Sequence, residues 1–204
     1  MDFLTDLARA VIALFIIVDP FGNIPIFLGL TENVPEAKIK RVYNTACLVG
    51  MILLLVFAFA GTAILSAFGL SLQSFEIAGG LLLLIIAIRI LMSGTHQTVE
   101  SPESLGAVPI AIPLLVGPGA ITTTMVTFQT YFSADGLEIA LSISVLAVVI
   151  VMSLTWVILR FINQIDRVLG KTGAIVIARV MALLIAGIAV QYILTGISTY
   201  PFGH

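Results

Sequence analysis

Charge is scarce in this chain. Of its 204 residues only 10% are Asp, Glu, Lys or Arg, while 60% are hydrophobic. A water-soluble domain of this length would lack the polar side chains to cover its surface, so a soluble enzyme is excluded and the bilayer is the natural solvent. The nine basic residues form no surface-sized cluster and the net charge is only −2. That removes the electrostatic footprint of nucleic-acid binding. Cysteine is almost missing: Cys47 stands alone in an apolar stretch, which excludes an intrachain disulfide and a thiolate metal site. Histidine is nearly absent too, with His96 in a polar loop and His204 in the tail. Those two alone make no metal centre, since catalytic zinc takes about three protein ligands. No cofactor is implied.

The same scarcity argues against intramembrane proteolysis. An aspartyl type needs two membrane carboxylates, and Asp19 is the only one at mid-span; a serine type needs a membrane histidine or lysine as base, and both histidines lie outside the spans. No enzyme is expected. The opening stretch Met1–Val18 carries Asp2, Asp6 and a single Arg9, then meets Asp19-Pro20 without a small-residue cleavage site. It reads as a retained helix and not as a secretory signal.

What is present is apolar helix. About 20 helical residues cross the hydrocarbon, and six runs of that length stand between polar breaks: Phe3–Thr31, Arg41–Leu65, Ser74–Met92, Leu105–Tyr131, Leu137–Leu159 and Ala174–Thr195. The expectation is an all-α membrane protein of six transmembrane helices, with no soluble domain. The first and fourth runs are overlong and carry proline and glycine at their centres: Asp19-Pro20-Phe21-Gly22-Asn23-Ile24-Pro25 in one, Gly117-Pro118-Gly119 in the other, with Pro113 just before it. Proline removes a backbone donor and glycine lets the chain leave helical geometry, so helices 1 and 4 are expected to be discontinuous at Pro20, Pro25, Pro113 and Pro118.

The chain also repeats itself weakly at a spacing of about 100 residues. Ile86–Gly94 matches Ile188–Gly196 in apolar pattern, and Pro20 lines up with Pro118. A first three-helix repeat over 1–95, a polar linker over 96–105 and a second repeat over 106–200 follow, within one membrane domain. Three helices per half is an odd number, so the second half must have inverted topology. Lys38, Lys40 and Arg41 lie between the first two runs and Arg160, Arg167 and Lys171 between the last two, with Arg89 and Arg179 at span ends on the same side and Arg9 opposite. The positive-inside rule then puts both termini outside the cytoplasm.

Broken helices are tolerated at membrane depth only where they line a protein-enclosed site. Two of them in inverted repeats are the layout of a secondary transporter. The half-helices beginning near Gly22-Asn23 and Gly119-Ala120 would aim unsatisfied N–H groups at the midplane, a seat for a carboxylate. Thr122, Thr123 and Thr124 would add hydroxyls. An ionised Asp19 at that depth costs several kcal/mol unless paired, hydrated or protonated. Two readings stay open for it: it binds a substrate ammonium or carries a coupling proton, or it caps the half-helix that starts with Pro20. Asn23 is likewise a ligand or a partner for freed backbone groups. Arg89 reads as a snorkelling side chain and Glu76 as an interface marker.

The stretches Asp19–Phe27 and Ala111–Gly119 resemble the paired motifs of the MarC family of prokaryotic membrane proteins, and the resemblance covers essentially the whole chain in length, span number and motif spacing. It implies transport of small neutral amino acids of the glycine and alanine class, in the prokaryotic inner membrane. On that reading the candidate substrate-binding residues are Asp19, Gly22, Asn23, Gly117, Gly119 and Thr122 to Thr124. The partners are a small zwitterionic solute, the lipid bilayer and a coupling proton or sodium ion, and a homo-oligomer stays open. The alternatives are a passive channel, since short broken helices also build selectivity filters, or an exporter of other small solutes.

Overall fold

The computed structural model describes residues 3–31, 35–93 and 115–200. The described residues form seven helices and no strand: α1 Phe3–Val18, α2 Ile24–Thr31, α3 Glu36–Ala67, α4 Leu72–Ser93, α5 Pro118–Asp135, α6 Leu137–Arg160 and α7 Ile162–Thr199. Among the described residues, four stretches are long and apolar enough to cross a membrane: Lys38–Ala67, Leu72–Met92, Leu137–Arg160 and Ile175–Thr199. The second, third and fifth of the expected runs lie within α3, α4 and α6.

The first run is interrupted. α1 ends at Val18, residues 19–23 form a non-helical turn, and α2 restarts the helix at Ile24. Pro20 sits in that turn, whereas Pro25 is the second residue of α2, where a missing N–H costs nothing. Pro25 therefore follows the break and does not make it. In the fourth run Leu115 is helical, Gly117 is extended (φ −71°, ψ 172°), and α5 begins with Pro118 at its first position. Pro113, the 96–105 linker and the start of that run lie outside the described residues.

One expectation needs correction. The connection between the last two runs, expected only as a short break carrying Arg167 and Lys171, is helical: α7 starts at Ile162 and bends at Gly170 (φ 59°, ψ 176°) before its apolar stretch. Ile162, Ile165 and Leu169 face inward while Asn163, Arg167 and Val168 are exposed. Spacing of three to four residues makes this piece an amphipathic helix, which short apolar runs do not announce.

Around an apolar core, the exposed surface is itself apolar. Large apolar side chains such as Leu183, Leu194, Leu48 and Ile12 point outward, while Asp19, Asn23, Glu76 and Thr122 to Thr124 are buried. α4 and α7 run antiparallel through small residues: a Cβ at Gly80 would lie 2.7 Å from the Ala189 carbonyl oxygen, and one at Gly196 would lie 2.9 Å from that of Gln73. Without a hydrophobic drive between helices in lipid, such close backbone approach is what holds a seam. α1 packs on α6 through Ala10 against Ile143 and Ala147, and α5 packs on α3 through Phe128 against Phe59, centroids 5.7 Å apart. α3 and α6 meet antiparallel, with Trp156 Nε1 donating to Asn44 Oδ1 at 2.7 Å.

Candidate functional site

The two interruptions face one cavity. It measures about 200 Å³ and is lined by Asp19 and Asn23 from the first break, by Gly117, Pro118, Gly119 and Ala120 from the second, and by Leu83, Ile86 and Ile185 from α4 and α7. A water occupies about 30 Å³ in the liquid, so the space suits a solute of a few heavy atoms.

The first break is built around Asp19. Its backbone is left-handed (φ 43°), a conformation that Asp and Asn tolerate better than other side chains. Its N–H closes α1 by donating to the Phe15 carbonyl at 3.0 Å, and its own carbonyl accepts from Asn23 N–H at 3.1 Å. Its Oδ1 accepts from Gly22 N–H at 3.0 Å. This differs from the cap anticipated for Asp19: no helix starts at Pro20, and the carboxylate of this residue, only 2% exposed, instead holds the turn that precedes α2. Gly22 is required by the same turn: a Cβ there would lie 2.7 Å from Asp19 Cγ and overlap its carboxylate. Asn23 Nδ2 donates to the Val18 carbonyl at 2.9 Å, satisfying a group that the end of α1 leaves over.

Across the cavity lies the start of α5. Its N-cap, Gly117, brings no side-chain hydrogen bond, and a helix N-terminus carries first-turn N–H groups and the positive end of the helix dipole. Gly119 is small by necessity, since a Cβ would overlap Leu83 and lie 3.2 Å from Ile17 Cγ2. The arrangement is therefore a buried carboxylate and amide on one side, a helix N-terminus on the other, and apolar walls between.

Residues 4–200 match the MarC family of integral membrane proteins. The chain belongs to that family. Similar proteins include a UPF0056 membrane protein of Archaeoglobus fulgidus, 34% identical over 193 residues (91% of this chain, 89% of that one). The UPF0056 membrane protein YhcE of Escherichia coli K12 is 35% identical over 198 residues (91% and 89%). The UPF0056 inner membrane protein YhgN of the same organism is 30% identical over 203 residues (98% and 100%). No solved structure matches the chain.

In this MarC family member, Asp19, Asn23, Gly117 and Gly119 line one cavity, and Gly22 shapes it from behind. Thr122, Thr123 and Thr124 do not line it. They start one turn into α5, buried, and each hydroxyl donates to the carbonyl four residues back at 2.8 Å. Thr122 fills the space left by Gly79, where a Cβ would lie 3.0 Å from its Cγ2. Thr122 seats α5 on α4, and Thr123 is hydrogen-bonded to Tyr192 of α7.

Sequence reasoning missed two kinds of residue. Leu83, Ile86 and Ile185 form the cavity wall, yet in an apolar span nothing distinguishes a wall from a lipid-facing side chain. Glu76, read as an interface marker, is 5% exposed; it points at α7, and its Cβ is 3.4 Å from where a Cβ on Gly196 would be. Its position in the second turn of α4 was the available signal.

Proposed function

We propose that this MarC family protein is a secondary transporter that carries a small zwitterion of the glycine and alanine class through the cavity between its two helix breaks. The observation carrying this reading is the cavity itself, with Asp19 and Asn23 opposite the N-terminus of α5. The solute's carboxylate would take the first-turn N–H groups of α5, and its ammonium would take Asp19. A net anion would meet Asp19 unfavourably, and a large side chain would not fit between Leu83, Ile86 and Ile185. Asp19, protonated once per cycle, would couple transport to the proton gradient. No chemical step on the solute is part of this reading.

The proposal includes six spans in two inverted three-helix repeats, with both termini outside the cytoplasm. Alternating access would then move the α4–α7 pair against the remaining helices, since both helices contribute walls to the cavity and close backbone approach joins them at Gly80 and Gly196.

Purified protein in liposomes tests the reading. Labelled glycine or alanine is expected to accumulate under an imposed proton gradient and to exchange with unlabelled internal solute. Uptake no faster than in empty vesicles, under either proton or sodium gradients, would sink it.

A further inference from the structure

A second cleft shares no residue with the cavity between the breaks. It lies at the end of the α3–α6 seam, measures about 470 Å³, and is lined by Lys40, Tyr43, Asn44, Trp156, Arg160 and Asn163 together with apolar neighbours. A groove of about 280 Å³ continues from it along the seam, sharing Asn44 and Trp156 and then running over Leu48, Met51 and Met152. We infer that this cleft and groove together bind one anionic phospholipid, headgroup between Lys40 and Arg160 and acyl chain along Leu48, Met51 and Met152.

The polarity gradient carries the argument. Two cations and two amides occupy one end, and the described lining residues include no carboxylate. From Lys40 to Met51 is about 16 Å at 1.5 Å per helical residue, and over that distance the lining turns apolar. Only an amphiphile matches both ends. The charged end is also organised in advance: the Arg160 guanidinium lies 5.4 Å from the Trp156 ring centroid, and Trp156 is held by its 2.7 Å hydrogen bond to Asn44. That bond uses the Asn44 carbonyl, leaving its amide N–H groups to donate to a phosphate beside the Arg fork. Tyr and Trp beside Lys and Arg are the side chains that a headgroup layer favours. Leu48 is 54% exposed, so the groove opens to the bilayer.

Trp156 is the only tryptophan in the chain, so its fluorescence reports on this site alone. In proteoliposomes, phosphatidylglycerol brominated on its acyl chain is expected to quench Trp156 steeply and to saturation at low mole fraction, while brominated phosphatidylcholine quenches only in proportion to its share of the bilayer. Each basic residue near a headgroup contributes about 1 kcal/mol, or about fivefold. K40Q and R160Q are each expected to reduce the preference by about that factor, and inorganic phosphate at millimolar concentration is expected not to displace the lipid. Equal quenching by the two lipids overturns the inference, as does a preference that both substitutions leave intact. Displacement by phosphate would make this a free-anion site and overturn the lipid. If R160Q does not fold, K40Q and the wild-type comparison still decide.

Discussion

Asp19 holds a backbone angle that glycine would adopt at lower cost. A side chain other than glycine in such a region is strained by about 1 kcal/mol or more, and a carboxylate at this depth adds a desolvation penalty. Holding the turn alone does not demand this residue, since asparagine accepts the same hydrogen bond and tolerates the same angle. D19N is therefore expected to leave the melting temperature nearly unchanged. Loss of a charged partner for the solute ammonium costs about 1.5–3 kcal/mol, so apparent affinity is expected to weaken about ten- to hundredfold and proton-driven accumulation to vanish. Undiminished coupled uptake by D19N would leave Asp19 with the structural role alone. G22A tests the same turn by geometry, because the added methyl displaces the Asp19 carboxylate without altering charge; uptake is expected to fall as it does for D19N, with a loss of stability besides. The turn was legible from sequence because proline, glycine and a mid-span acid are rare in apolar helix. The threonines were misleading for a physical reason: in a dry helix a threonine hydroxyl turns back to the carbonyl four residues earlier, and their number in the sequence says nothing of that.

Helix limits in the apolar runs were legible to within a few residues, because hydrocarbon thickness fixes length. Registry between helices was not, since small residues mark a seam without naming its partner. Two glycines show the difference. A Cβ at Gly80 would press on the backbone of α7 at Ala189, whereas one at Gly187 on α7 would meet nothing within 4 Å. G80A is expected to lower stability by about 1–3 kcal/mol, as overpacking does. G187A is expected to be neutral or to stabilise by up to about 1 kcal/mol through helix propensity. Thermal melts in one detergent would compare the pair, and equal melting temperatures would disprove the α4–α7 registry. The amphipathic start of α7 escaped the sequence reading because its apolar positions, Ile162, Ile165 and Leu169, are too few to register as a span.

Across the whole molecule, the orientation proposed from loop charge can be read with thiols. Cys47 is buried and is the only cysteine, so C47A gives a thiol-free background. Phe68, in the turn after α3, is 77% exposed, and Val168, in the first part of α7, is 88% exposed. In intact cells a membrane-impermeant maleimide is expected to label F68C and to spare V168C until the membrane is opened. The reverse pattern would invert the proposed topology. The sequence did not show how the helices interlock: among the described residues α1 lies on α6, α3 on α5 and α6, and α4 on α7, so helices early in the chain pack on later ones. Biogenesis inherits a constraint from this. Helices inserted first must wait in the bilayer with their glycine-lined and polar faces unmatched until the later ones arrive, and a nascent chain halted midway would offer those faces to quality-control proteases.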